Sequence, residues 1–186
     1  MGHGGNVIDE LTTDHREVEE FFERLRALPT GHKDRRTVVD ELTVELVRHS
    51  VAEEMYLYPA VREYLPGGDA LADKEIHDHA EVERILKDLE HRDVDDPVFE
   101  DLAQKLIMEV TEHVSEEEQQ LFPSLAQVCT PQELDRLGDR IRRAKKVAPT
   151  RPHPGAPDTP PGNKLLAPGA GLVDRVRDFV TGRGKA

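Results

Sequence analysis

His49-Ser50-Val51-Ala52-Glu53-Glu54-Met55-Tyr56-Leu57-Tyr58-Pro59 returns 64 residues later as His113-Val114-Ser115-Glu116-Glu117-Glu118-Gln119-Gln120-Leu121-Phe122-Pro123. Histidine, both acidic residues, leucine and proline fall in register. A spacing of four puts histidine and glutamate on one face of a helix, a turn apart. The same offset relates Asp14-His15-Arg16-Glu17-Val18-Glu19 to Asp78-His79-Ala80-Glu81-Val82-Glu83, and Leu25 to Leu89. His15 and His49 are 34 residues apart, and so are His79 and His113. The pattern reads as one helical hairpin, duplicated.

Working outward, each half supplies two periodic segments. Ile8, Leu11, His15, Val18, Phe22 and Leu25 mark one face of a helix over about Val7–Leu28, ended by Pro29-Thr30-Gly31. Val39, Leu42, Leu46, His49, Glu53 and Tyr56 do the same over about Lys33–Leu65, before Pro66-Gly67-Gly68. The third helix spans about Asp69–His91, with His79, Val82, Leu86 and Leu89 inward. The fourth opens with Asp96 as N-cap and Pro97 as first helical residue, and turns Ala103, Leu106, Val110, His113 and Glu117 inward. Short connections predict an all-α, up-down-up-down four-helix bundle. Thr130-Pro131-Gln132-Glu133 reads as a capping box opening an extra helix over 130–146. The expected division is a bundle domain over 1–148 and a tail over 149–186. In that tail, 149–168 is Pro/Gly-rich and reads as a flexible, extended linker. A short amphipathic stretch follows, Gly171 to Val180, with Leu172, Val176, Phe179 and Val180 on one side.

Composition narrows the class. Of 186 residues, 34% are charged and 37% hydrophobic, as suits long helices with solvated outer faces. The net charge of −13 is uneven: up to Gln132, 13 Lys and Arg face 32 Asp and Glu, whereas 12 face 6 from Glu133 onward. The acidic part repels nucleic acid, so no nucleic-acid partner is expected. The basic tail suits an acidic protein partner or the chain's own bundle. The lone Cys129 excludes an internal disulfide and is compatible with a reducing compartment. With no signal-peptide pattern at the N-terminus and no run approaching ~20 apolar residues, the expected address is the cytoplasm, away from membranes.

His15, His49, Glu53, His79, His113 and Glu117 sit where neighbouring Leu and Val mark the inside. Burying six ionisable groups uncompensated would cost several kcal/mol each. Metal coordination compensates all six; a metal-free His–Glu network is the alternative. A single His-x-x-x-Glu carries little weight, since His77–Glu81 and His79–Glu83 share its spacing. The recurrence in register carries the argument. Imidazole with carboxylate suits Fe, Mn or Zn, and carboxylates from facing helices can bridge two ions. The absence of cysteine ligands disfavours a structural zinc site. His77 and His79 are two residues apart, about 200° around a helix, so only one can point inward. The repeat selects His79. His77, His3, His32, His91 and His153 are expected in solvent. Tyr56 lies on the inward line and Tyr58 before Pro59; either is a core aromatic or a phenol near the metals.

At these residues the sequence resembles the hemerythrin-like, or HHE cation-binding, family. The matching pieces are Asp14-His15, His49-x-x-x-Glu53-Glu54 with Leu57-Tyr58-Pro59, Asp78-His79, and His113-x-x-x-Glu117-Glu118 with Leu121-Phe122-Pro123. The resemblance covers about 6–146 and implies two iron ions, oxo-bridged, with Glu53 and Glu117 bridging and four histidines capping; Mn or Zn is the lesser expectation. Oxygen carriers of the family use a fifth histidine, in a His-x-x-x-His pair on the third helix. Here Glu83 follows His79 at that spacing. The resemblance implies reaction with dioxygen, hydrogen peroxide or nitric oxide, in oxidative or nitrosative stress defence. Catalase- or peroxidase-like turnover stands beside an oxygen or iron sensor and an iron carrier as the alternatives.

Overall fold

The structure, a computed structural model, describes residues 4–181, without the side chains of Leu165, Val176, Phe179, Val180 and Thr181. The chain runs through α1 (Val7–Ala27), α2 (Asp34–Ala52), α3 (Tyr58–Tyr64), α4 (Gly68–Glu90), α5 (Pro97–Glu116), α6 (Phe122–Val128), α7 (Pro131–Val147) and α8 (Gly162–Thr181). The described residues contain no strand. Helix α1 packs on α2, α4 on α5, and α3 on α4. Helix α7 lies against both α1 and α2. The architecture is the all-α bundle with an extra helix.

Caps define the helix starts. Asn6 accepts from Ile8 and Asp9 at the head of α1, and Asp9 returns the bond. Asp96 accepts from Val98 at 2.9 Å, and Thr130 and Glu133 close a capping box on α7. Each satisfies backbone N–H groups that have no partner within their helix. Gly67, at φ 74°, makes the left-handed step between α3 and α4 that a side chain would resist. Gly138 lets α7 meet the start of α1, since a Cβ there would stand 2.8 Å from the Asn6 carbonyl carbon.

The periodicity predicts continuous α-helices for the second and fourth rods, and the structure departs from this. Each contains a five-residue π-helical turn, Glu53–Leu57 and Glu117–Leu121. Each ends one residue short of the residue preceding a proline. An α-helix continued through Pro59 or Pro123 would drive the ring against the carbonyl four residues back and leave that carbonyl unbonded. The wider turn instead bonds Tyr58 N–H to the Glu53 carbonyl, and Phe122 N–H to that of Glu117.

The core is divided. One apolar cluster contains Leu11, Leu57, Ile76, Leu121 and Ile141; the other contains Val18, Phe22, Leu46, Val82 and Val110. On every rod, the residue between the two clusters is polar. His15 lies between Leu11 and Val18, His79 between Ile76 and Val82, His49 and Glu53 between Leu46 and Leu57, and His113 and Glu117 between Val110 and Leu121. The site is one polar layer between two greasy ones.

The tail departs from an extended linker. Ala148, Thr150 and Arg151 are buried. Helix α8 begins at Gly162 rather than Gly171, and Leu172 is 62% exposed. Ala167, Gly171 and Asp174 are buried on its docking side. A Cβ on Gly171 would stand 2.3 Å from the Val147 carbonyl oxygen, so small size selects this face. Asp174 accepts from the Thr150 and Arg151 amides at 3.1 and 3.2 Å. The side chains of Val176, Phe179 and Val180 lie outside the described residues.

Candidate metal centre

All six residues singled out by the repeat meet in the polar layer. His15, His49, Glu53 and Glu117 bring one donor atom each within 4.8 Å of one another, and Glu53, His79 and His113 form a second such group. Glu53 belongs to both. Its Oε2 is 3.1 Å from His49 Nε2 and 3.4 Å from His79 Nε2. Glu117 Oε2 is 3.3 Å from His15 Nε2 and 3.8 Å from His113 Nε2. Each carboxylate thus touches one histidine of its own hairpin half and one of another rod.

Behind each ring stands a further carboxylate. His15 Nδ1 is 2.8 Å from Glu118, His49 Nδ1 is 3.1 Å from Asp14, and His79 Nδ1 is 3.1 Å from Glu54. His113 Nδ1 is 2.9 Å from Glu75, close but poorly aligned. A neutral imidazole that offers Nε2 to the centre carries its proton on Nδ1 and donates it outward. The first three carboxylates set tautomer and orientation, the arrangement that supports histidine ligands of metals, and Glu75 stands in the fourth such place. Two are in turn held by cations: Arg16 pairs with Glu118, and Lys145 of α7 with Asp14. The repeat pairs Asp14 with Asp78, but Asp78 pairs with Lys74 at 2.8 Å near the surface, and buried Glu75 takes its place.

His15 Nε2, Glu53 Oε1 and Glu117 Oε2 are buried with no hydrogen-bond partner. Unpaired buried polar atoms are costly. Two ligands bound at about 2.1 Å and near right angles stand about 3 Å apart, which is the spacing seen across His49–Glu53 and His15–Glu117. The residues fit a metal.

The charges are strongly interdependent. Burial alone would raise the Glu53 carboxyl, but His49 and His79 hold it well below the usual range. Burial opposes charge on His79, yet hydrogen bonds to Glu53 and Glu54 raise its pKa to about 10. Against the same penalty, Glu53 and Asp14 raise His49 well above its ordinary value. Protons thus balance the carboxylates where a cation would otherwise do so.

The two tyrosines separate. Tyr58 is fully buried, with its hydroxyl 3.0 Å from His79 Nε2, 3.2 Å from Glu117 Oε1 and 3.5 Å from Glu53 Oε2. Tyr56 is half-buried, with Lys164 Nζ 4.6 Å from its ring centroid. The π turn is the reason: residues five apart share its face, so Tyr58 replaces Tyr56 beneath Glu53. Phe122 takes the equivalent place beneath Glu117 and stacks on His15, with centroids 5.7 Å apart and planes at 8°. Of the other histidines, His77, His32 and His91 are exposed, and His3 lies outside the described residues. His153 is held rather than free, its N–H donating to Glu83 at 2.7 Å and its Nε2 2.9 Å from Asp174.

Sequence reasoning missed the roles of Asp14, Glu54, Glu75 and Glu118. For Asp14, Glu54 and Glu118 the repeat carried a signal, since each has an in-register partner. Glu75 has none, because its partner position is Leu11.

A histidine–carboxylate layer across a four-rod bundle defines a class of metal-binding helical proteins. Residues 6–125 match the hemerythrin HHE cation-binding domain, and the chain belongs to that family. An uncharacterised hemerythrin-like protein of Schizosaccharomyces pombe is 27% identical over 175 residues, covering 94% of this chain and 86% of that one. A DNA nickase of a Nostoc species is 27% identical over 141 residues, covering 75% of this chain but only 39% of its own length. The fold matches the crystal structure of a hemerythrin HHE cation-binding domain-containing protein from Mycobacterium kansasii. That match has a TM-score of 0.66 at 24% identity and covers 76% of this chain and 85% of that one. Among the described residues, no helix is long and apolar enough to cross a membrane.

Proposed function

We propose that this protein holds two iron ions on His15, His49, Glu53, His79, His113 and Glu117, with Tyr58 as an added ligand or proton donor, and turns over hydrogen peroxide or reacts irreversibly with dioxygen or nitric oxide. The observation that carries this reading is the pair of donor groups that share Glu53. When bound, the iron pair would supply electron transfer to and from a small oxidant. The chain's part is to place donors and protons. Glu118, Asp14, Glu54 and Glu75 hold the rings, and the two apolar clusters keep bulk water out. Tyr58 keeps its proton in the metal-free site, because burial and then Glu117 and Glu53 push its pKa well above 10. A buried phenol between two carboxylates and a histidine suits proton delivery to a reacting oxygen.

Four histidines and a phenol, in place of the five histidines of oxygen carriers, support reaction over reversible carriage. The nickase activity of the Nostoc relative is not extended to this chain: that protein is much longer, and a net charge of −13 opposes DNA binding. Metal analysis with an optical spectrum of the purified protein, followed by peroxide assay, tests the reading. About two irons per chain and sustained peroxide loss are expected. One zinc per chain would refute the metal assignment. Reduced protein that binds dioxygen and releases it cleanly over several cycles, without peroxide turnover, would refute the chemistry.

A further inference from the structure

A cavity lies beside the polar layer, between the C-terminal segment and the face made by α2 and α4. It measures about 100 Å³. Leu46, Val51, Ile76, Val82 and Leu86 form its floor, and Pro149, Pro157 and Ala167 its roof. Its polar lining is rich in acceptors. Glu54, Glu83 and Asp158 line it, and no lysine or arginine does among the described residues. The His79 Nδ1 proton is taken by Glu54 and His153 Nε2 by Asp174, so neither ring nitrogen is free to donate to a guest. Asn163, only 3% exposed, also lines the cavity, and its Oδ1 has no hydrogen-bond partner. A largely apolar cavity thus ends in a group of acceptors that includes the unpartnered Asn163 Oδ1.

We propose that this cavity binds a short alkylamine, its ammonium against Glu54, Glu83 and Asp158 and its hydrocarbon among Leu46, Val51 and Leu86. An ammonium offers three donors and no acceptor, which is what this end lacks. A cavity of about 150 Å³ takes benzene, so this one suits an alkyl body of about four carbons. An anion would be repelled, and a neutral alcohol would leave the carboxylates uncompensated. Glu54 and His79 both line this cavity and are bonded to each other, so the occupant would sit directly beside the histidine layer.

The test is calorimetric titration of the purified, metal-loaded protein at neutral pH with n-butylammonium, n-butanol and n-butyrate. Butylammonium is expected to bind saturably, one per chain, about tenfold or more tighter than butanol, and butyrate not at all. Glu83→Gln and Asp158→Asn should each weaken the amine about tenfold and leave butanol unchanged. Ala167→Leu, which fills the cavity, should abolish both. Asp158 is on the exposed tail, so its substitution keeps the test valid should Glu83→Gln fail to fold. Three results would overturn the proposal: no saturable amine binding, equal affinity for amine and alcohol, or amine binding that survives both charge substitutions, as direct ligation of the metal would.

Discussion

Tyr58 and Phe122 occupy equivalent places in the two halves of the duplicated hairpin, one residue beyond the π turn in each, and only Tyr58 brings a hydroxyl into the histidine layer. It stands 3.0 Å from His79 Nε2, while Phe122 stacks on His15. The duplication therefore builds a nearly two-fold frame, and at this position one oxygen breaks its symmetry.

Tyr58→Phe makes the halves alike at this position. The ring remains, so packing is kept and the melting temperature should move by no more than about 4 °C. Metal content should hold, while peroxide turnover falls about tenfold or more as the proton donor is lost. Full activity in a well-folded, metal-loaded variant would remove Tyr58 from the chemistry. Tyr56→Phe is the control and should change neither.

The second asymmetry separates two aspartates. Asp14 is buried against His49 and Lys145, whereas Asp78 pairs with Lys74 near the surface. Asp14→Ala and Glu75→Ala should each weaken metal binding about 10–100-fold, as loss of a histidine's outer partner does. Asp78→Ala should leave affinity unchanged. Competition against a chelator of known affinity measures all three, and equal losses at Asp14 and Asp78 would show that the repeat, not burial, assigns the role.

Removing the metal should lower stability, because the ion binds the native state alone. Free ion at about a thousandfold its Kd contributes about 4 kcal/mol, readable as a shift of several degrees between stripped and loaded protein. Glu53→Ala and Glu117→Ala should lose metal, and His77→Ala, on the exposed face of α4, should keep it. Identical melting curves with and without metal would place the ion outside the core.

The stripped protein should have a bounded pH range of stability. His79 has a folded pKa of about 10 against an ordinary value of 6.5. Its contribution is complete below about 6.5 and fades as pH rises toward 10. Glu53 is depressed, so its contribution is present above its ordinary value of 4.5 and is lost as acid protonates it. Stability should peak between these limits. At pH 7 metal must displace histidine protons, so binding should release protons and tighten as pH rises. Calorimetry in buffers of different ionisation enthalpy measures that release, and none at neutral pH would contradict charged histidines in the stripped site.

Truncation after Ala148 should leave the bundle folded and loaded, because every donor and its outer partner precede that point. It should cost roughly 5 °C in melting temperature. The cut bares the apolar face under the tail and removes the Arg151–Glu90 pair and the His153 N–H donated to Glu83. Loss of metal on truncation would show that the tail closes the centre.

The sequence by itself determined the duplicated hairpin, the inward faces, the capped starts of α5 and α7, and the convergence of His15, His49, Glu53, His79, His113 and Glu117. These follow from a local rule: residues four apart share a helical face, and apolar neighbours say which face is inside. Only the tertiary structure decided the rest. Where a π turn relieves Pro59 depends on backbone bonds that composition does not encode, and that turn alone puts Tyr58, rather than Tyr56, beneath Glu53. Which acidic side chain backs each histidine depends on how rods distant in sequence pack: Glu118 reaches His15 across 103 residues, and Lys145 reaches Asp14 across 131. In a chain with 38 acidic residues, the many candidates are alike until packing brings one within reach. Packing likewise decides where the tail lies. Its Pro/Gly composition reports the missing local preference, whereas its position is held by Gly171 against the Val147 and Ala148 carbonyls and by Asp174 on the Thr150 and Arg151 amides, contacts that exist only once the bundle has formed.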